Sequence, residues 1–256
     1  MAETEFTFAD ASAAAPVQQL LRECGLPYED IGNHLDNFII AKQGDKAIGL
    51  VGLELYGKVA LLRSLAVAAP HRGRGIARAL CARAEAHALL KGVSVFYLLT
   101  TTAAGFFSKL DFSQVARDEV PEAIKATREF HSLCPASAVC MMKEMGKEAR
   151  YFPREVLVPQ PDVPGARMWG IALEKTMFTY FEVEPRCRFE LHRHASEQIT
   201  MVLEGELFFE ASGRTIRVRQ GEVIALPANL PHAAFTREES VKAVDAWSPV
   251  MEKYKK

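Results

Sequence analysis

The sequence predicts two domains of different class: an α/β (α+β) domain with a mixed central sheet over residues 1–147, and an all-β barrel over residues 165–256, with a linker at 148–164. Three observations predict it. Up to residue 147, apolar runs of strand length alternate with Ala- and Leu-rich helical stretches. Pro153, Pro159, Pro161 and Pro164 then crowd one short segment. Beyond them helical texture nearly vanishes. Short apolar runs follow, punctuated by Pro185-Arg186, Glu204-Gly205, Ser212-Gly213 and Gln220-Gly221, which is the spacing of a β-sandwich or small barrel.

The elements follow in order. Thr7 and Phe8 lie in a short apolar start, and residues 14–24 read as a helix closed by Gly25 and Pro27. Residues 37–41 and 47–55 read as strands joined at Gly44-Asp45, and 59–67 as a third. A helix over 75–90 stops near Gly92, a strand fills 93–99, and a short helix fills 103–110.

Of 256 residues, 49% are apolar and 25% charged, enough for full cores, and the net charge of −1 gives no global attraction for nucleic acid or acidic membrane. Anion binding must therefore be local. The acidic start Met1-Ala2-Glu3-Thr4-Glu5 lacks a signal-peptide pattern. No apolar run approaches the roughly 20 residues of a spanning helix. The expectation is a soluble cytoplasmic protein with neither nucleic-acid nor membrane partners. Five scattered cysteines, an odd number, read as reduced thiols rather than a disulfide framework.

The first site candidate is the run Arg72-Gly73-Arg74-Gly75-Ile76-Ala77, between the strand at 59–67 and the following helix. Glycines let backbone N–H groups approach phosphate oxygens, and the helix N-terminus adds about half a positive charge. The alternative is a tight turn with solvent-facing arginines. Arg72, Gly75 and Ala77 fit the Q/R-x-x-G-x-G/A signature of the GNAT N-acetyltransferase superfamily, which this chain resembles over roughly residues 5–146. The segment LLTTTAAGFFSKLDF at 98–112 is similar to that superfamily's last strand–helix unit. The resemblance implies an acetyl-CoA site, with Leu65, Ala66 and Val67 binding the pantetheine arm and Arg72, Gly73, Arg74, Gly75, Ile76 and Ala77 the pyrophosphate. Residues 97–104 and 133–138 also resemble the arsenic-resistance N-acetyltransferases, whose relatives acetylate amino-acid antimetabolites carrying arsenic or phosphorus. That implies a small amino-acid-like amine, anionic in character, as acceptor.

An amine is mostly ammonium at neutral pH and must lose a proton before it attacks a thioester. Glu54 is the candidate base, with a solvent-facing edge position as the alternative; Arg63 and His34 are candidates to bind a substrate carboxylate or oxyanion. Two departures from the superfamily pattern stand out. Phe107 occupies the place of a Tyr that protonates the departing thiolate, and Asp111 replaces a Gly. Cys134 and Cys140 invite a reading as an arsenic trap, but their spacing matches no tight metal motif and buried, inert thiols are favoured.

The second site candidate is His192-Arg193-His194 with Gln198, Gly205 and, further on, Gly221, Pro227 and His232. On a strand, His192 and His194 share one face. These residues resemble the two cupin motifs over about 165–250, which implies a β-barrel holding a divalent metal through His192, His194, His232 and a fourth ligand. Gln198 is preferred to Glu197 because it shares the histidines' parity and lies at the right distance from Gly205. Imidazole ligation leaves Zn, Ni, Fe, Cu or Mn open, and a metal-free barrel is the alternative. Arg186 and Asn229 stand where the motifs carry Gly.

The expected function is acetyl transfer from acetyl-CoA to a small amine. The cupin is a metal-binding module, a ligand sensor or carrier, or an independent isomerase, lyase or dioxygenase. Cupins often pair through their sheets, so a homodimer is a further expectation.

Overall fold

The computed structural model describes residues 4–145 and 149–254. The chain divides into compact units at 1–156 and 157–256. The expected boundary at 147/148 falls outside the described residues. The expected linker is largely absorbed: a 3-10 turn at Arg154–Val156 belongs to the first unit, and a short strand at Gln160–Pro161 joins a sheet of the second.

The first unit is a seven-stranded mixed sheet. Its strands are β1 (Glu5–Phe8), β2 (Phe38–Gln43), β3 (Lys46–Tyr56), β4 (Val59–Val67), β5 (Val95–Thr100), β6 (Ser113–Gln114) and β7 (Val139–Glu144), in the order β1-β2-β3-β4-β5-β7-β6. Among the described residues, only β4 and β5 pair in parallel. Its helices are α1 (Ala14–Glu23), α2 (Ile76–Leu90), α3 (Ala104–Ser108) and α4 (Glu122–Lys125).

Val17, Leu20 and Leu21 fall at helical spacing, so α1 lays one apolar stripe on Phe38, Ile40, Leu50 and Ala66 of the sheet. Gly25, at φ 69°, ends it: its N–H donates to the Arg22 carbonyl, and that of Leu26 to Leu21. α2 packs Ile76, Leu80, Cys81 and Ala84 onto the opposite face, against Val51, Leu53, Leu62 and Phe96. Ile124 of α4 covers Leu61, Tyr97 and Cys140 beside α1's territory.

His87 of α2 is nearly enclosed, its Nε2 3.1 Å from Asn37 Oδ1 and its ring 4.7 Å from Phe8. Burial, helped by the charge of Lys91, lowers its pKa to about 4. The folded-state value lies below the ordinary 6.5, so below about pH 6.5 the unfolded chain takes up a proton that the folded chain refuses. This contribution is complete above that pH and fades as pH falls toward 4. Urea unfolding of the first unit should lose roughly 3 kcal/mol across this window, and His87→Phe should flatten that loss. An equal pH dependence in wild type and variant would contradict it.

The second unit is two facing antiparallel sheets. Its strands are β8 (Gln160–Pro161), β9 (Ala166–Ala172), β10 (Met177–Val183), β11 (Arg188–His192), β12 (Glu197–Glu204), β13 (Glu206–Ala211), β14 (Arg214–Arg219), β15 (Val223–Leu226), β16 (His232–Phe235) and β17 (Val241–Ser248). One sheet runs β15-β12-β17-β10-β9-β8 and the other β11-β16-β13-β14. Alternate residues of β10, β12 and β17 are buried, and Phe181, Val202, Phe209, Val218, Ala243 and Trp247 share one core. Among the described residues, no helix is long and apolar enough to cross a membrane.

Candidate active site and metal centre

β4 and β5 pair only from Val59–Val95 to Leu61–Tyr97. Past Leu61 the two strands have no mutual pairing, so Leu65, Ala66 and Val67 lie on a stretch of β4 free of β5. β4 also carries an extra residue against β3 near Ser64, whose φ is 57°. The strand leads through a short turn to Gly73 and Gly75, at φ 74° and 79°. A Cβ on either glycine would meet nothing within 4 Å, so the requirement for Gly is conformational and the space beside the loop is open. Gly75 is the N-cap of α2. No side chain caps that end and no acidic residue lies in its first turn, which leaves its N–H groups without a side-chain acceptor, as an anion site requires. Arg72, Arg74 and Arg78 are exposed around it, and Arg72 Nε donates to the Val67 carbonyl at 2.9 Å, tying the loop to the end of β4. Phe107 of α3 is buried against Phe106 and Phe112, with no proton to give.

Glu54 and Arg63 come together on the sheet face opposite α2. Arg63 Nη1 lies 2.5 Å from Glu54 Oε1, and Tyr56 Oη donates to Glu54 Oε2 at 2.6 Å. His34 Nε2 is 3.8 Å from that same oxygen, and His34 is the more exposed of the pair, its side chain 29% accessible against 4% for Glu54. Two distant residues complete the cluster. Asp30 grips Arg63 through both oxygens at 2.9 and 2.7 Å, and Glu129, on a π-helical turn at Glu129–Leu133, lies 3.0 Å away.

Three carboxylates thus surround one guanidinium. Burial pushes Asp30 up, but the hydrogen bonds and charge of Arg63 outweigh it and leave its pKa low. Burial wins at Glu129, which is raised despite Arg63. Burial opposes the charge on Arg63, and the carboxylates more than restore it.

This geometry corrects one expectation. The Arg63 side chain has no accessible surface and its fork is filled by Asp30, Glu54 and Glu129. A substrate carboxylate would have to displace one of them, so the geometry does not offer the Arg63 fork to an incoming anion. Glu54 is not at a solvent-facing edge. Asp30 and Glu129 were not foreseen, because sequence distance gives no hint of their approach; Tyr56, two residues beyond Glu54 on one strand, had a legible parity. Cys134 Sγ donates to Glu129 Oε2 at 3.5 Å, and burial with that carboxylate raises its thiol to about 12. Burial also raises Cys140. Both are thiols at neutral pH, and all five cysteines are free.

In the second unit, the nitrogens of His192, His194 and His232 lie within 4.8 Å of one another. β11 ends at His192, so a turn, not strand alternation, brings His194 to the same side. Each Nδ1 is anchored on a backbone carbonyl: His192 on Glu190 at 2.7 Å, His194 on Ser196 at 2.7 Å, His232 on Leu230 at 2.8 Å. Carbonyls only accept, so each Nδ1 keeps its hydrogen and each Nε2 offers a lone pair. Gln198 points inward while Glu197 is exposed. Gln198 Oε1 lies 3.2 Å from His194 Nε2. These are two acceptors facing each other, an arrangement that a cation between them resolves. The donor set therefore fits a divalent metal with three nitrogens and one oxygen.

Behind the histidines is a cavity of about 50 Å³ lined by Phe181, Phe189, Leu207, Phe209, Trp247 and Asp245 among others. Burial raises Asp245 to about 7, against its hydrogen bonds with Thr200 and Gln198. Arg186 and Asn229 have φ of 59° and 62°, and Asp111 of the first unit 66°. All three substitutes keep the left-handed backbone that their motifs give to glycine.

Residues 34–114 match the family model for the acetyltransferase (GNAT) domain, and residues 179–247 that for the cupin domain. An uncharacterized N-acetyltransferase of Chlorobaculum tepidum is 31% identical over 121 residues, covering 45% of this chain and 77% of that protein. Among solved structures, N-acetylglutamate synthase from Neisseria gonorrhoeae, complexed with coenzyme A and N-acetyl-glutamate, is 19% identical with a TM-score of 0.50, over 57% of this chain and 36% of that one. KdgF from Halomonas sp. is 22% identical with a TM-score of 0.38, over 40% of this chain and 96% of that one.

Proposed function

Because the chain belongs to the GNAT acetyltransferase family and is an acetyl-CoA-dependent acyltransferase, we propose that its first unit acetylates the amine of a small amino-acid-like acceptor, with Glu54 as the base. The observation that carries this reading is the buried Glu54–Arg63 cluster. Glu54 is fixed by Tyr56 and Arg63, and its Oε2 looks toward the partly exposed His34. The excess of carboxylates over cations there supports an acceptor that arrives as an ammonium. It does not support the anionic recognition by Arg63 that the sequence suggested.

In this mechanism, residues 72–77 and the start of α2 hold the pyrophosphate, and the free stretch Leu65–Ala66–Val67 holds the pantetheine arm. The ammonium gives a proton toward Glu54, through water or past His34. The amine attacks the thioester carbonyl, and the C–S bond breaks. The thiolate takes its proton from water, since Phe107 has none. The likeness of 97–104 and 133–138 to arsenic-resistance N-acetyltransferases supports amino-acid analogues as candidate acceptors. A thioester-consumption screen over amino acids, polyamines, aminoglycosides and phosphinic or arsinic amino acids tests the reading. Turnover with a primary amine, with N-acetyl product, supports it; thioester loss by hydrolysis alone overturns it.

The second unit, in the same proposal, holds a divalent metal through Nε2 of His192, His194 and His232 and Oε1 of Gln198. All four ligands are neutral, so a bound metal keeps its charge and supplies Lewis acidity or anion capture. Protein purified without a nickel column should carry close to one equivalent of metal. His232→Ala should drop that content below about a tenth while acetyl transfer persists. Acetylation that falls with the metal would favour a sensor or carrier role for the cupin. Persistence leaves it an independent module, for which isomerase, lyase or dioxygenase chemistry is the alternative to simple binding.

A further inference from the structure

We infer that Thr200 and Asp245 are positioning residues of the metal centre, locking Gln198 so that its carbonyl oxygen and not its amide nitrogen faces the histidines. The inference rests on the metal reading of His192, His194 and His232.

A glutamine amide has two ends of nearly equal shape and opposite chemistry. Only the oxygen can ligate a cation; the NH₂ end would present protons to it. Something must choose between them. Gln198 Nε2 donates to Thr200 Oγ1 at 2.9 Å, and Thr200 Oγ1 donates to Asp245 Oδ1 at 2.6 Å. A hydroxyl has one proton. With Asp245 ionised, as a cation beside it favours, Thr200 spends that proton on the carboxylate. Its oxygen is then left to accept, and the NH₂ end of Gln198 satisfies it. Asp245 acts on the far end of the amide through that hydroxyl and through its own hydrogen bond with Gln198.

The strands make this relay rigid. Gln198 and Thr200 share the inward face of β12, and Thr200 is paired directly with Asp245 of β17. All three residues are buried, at 6%, 1% and 5% exposure. Asp245 follows Val241 and Ala243 and precedes Trp247 on the buried face of β17, where its neighbours are apolar. Among the described residues, no cationic side chain pairs with it, and it is the one acidic residue lining the cavity. A buried carboxylate in that position is costly without a compensating charge, and a divalent cation held by neutral ligands next to it is such a charge.

Cobalt(II) titration of the full-length apo protein, followed by visible d–d absorption and by competition with a chromogenic chelator, tests the relay. Thr200→Val, which removes the acceptor at 2.9 Å from the amide nitrogen, should weaken binding roughly 10- to 100-fold and alter the spectrum. Thr200→Ser, which keeps the hydroxyl, should stay within about threefold of wild type. Asp245→Asn keeps the volume but can donate to Thr200 and let the relay run backwards, so it should lose affinity as Thr200→Val does. If Thr200→Val does not fold, as judged by circular dichroism, Asp245→Asn decides alone. Folded variants with wild-type affinity and spectrum overturn the relay and leave the metal reading standing. A wild-type protein that binds no cobalt overturns the metal reading and the relay with it.

Discussion

Glu54→Gln is expected to lower kcat for amine acetylation by roughly 10²- to 10⁴-fold, the usual contribution of a positioned general base, while the KM for acetyl-CoA stays near wild type. The substitution keeps the shape of the side chain and removes its ability to take a proton. Arg63 would keep Asp30 and Glu129 as partners, so the sheet around it should stay folded, which thermal unfolding can check. The deficit should shrink as pH rises toward the acceptor's own pKa, because the free amine then needs no base. A variant within about threefold of wild type at neutral pH would remove Glu54 from the mechanism. Tyr56→Phe, which deletes one of the two groups that fix Glu54, should have a smaller effect in the same direction.

Gly75→Glu is expected to raise the Kd for acetyl-CoA roughly 10- to 100-fold, about 1.4–2.8 kcal/mol, with the protein still folded. Two causes add. Gly75 sits at φ 79°, where a side chain costs about 1–2 kcal/mol. A carboxylate at the open N-terminus of α2 would then occupy the field intended for phosphate and repel it. Steric conflict with the protein is not among the causes, since a Cβ there meets nothing within 4 Å. Gly75→Ala carries the backbone strain without the charge, and its loss should be clearly smaller. Equal losses in the two variants would mean that the loop acts by shape alone, without anion binding.

Local features were the legible ones. The strand at Val59–Val67 and the helix at Ile76–Leu90 were readable because hydrophobic period and the flanking Gly75 and Gly92 agree. Gln198 does point inward, but not through the parity with His192 and His194 that suggested it: the strand breaks after His192, and alternation within β12 alone turns Gln198 inside. The strand at Val139–Glu144 and the short helix α4 show no clear period: α4 has only four residues, and Val139–Glu144 buries two successive side chains, Cys140 and Met141, in different clusters. The Arg63 cluster was only half legible. Glu54 and Arg63 lie on adjacent strands, but Asp30 and Glu129 reach them from a loop and an irregular turn, and nothing local marks those positions. Without those two carboxylates, Arg63 in the sequence looks free to bind a substrate anion. Asp245 did leave a signal: on a strand whose inward positions are Val241, Ala243 and Trp247, an acidic residue of the same parity calls for a partner.

The most direct test of the central claim, that residues 72–77 and the start of α2 hold acetyl-CoA, is a calorimetric titration of the wild-type chain with acetyl-CoA. Saturable binding of one acetyl-CoA per chain is expected, weakened more by Gly75→Glu than by Gly75→Ala. No detectable binding, or binding that Gly75→Glu leaves unchanged, would contradict it.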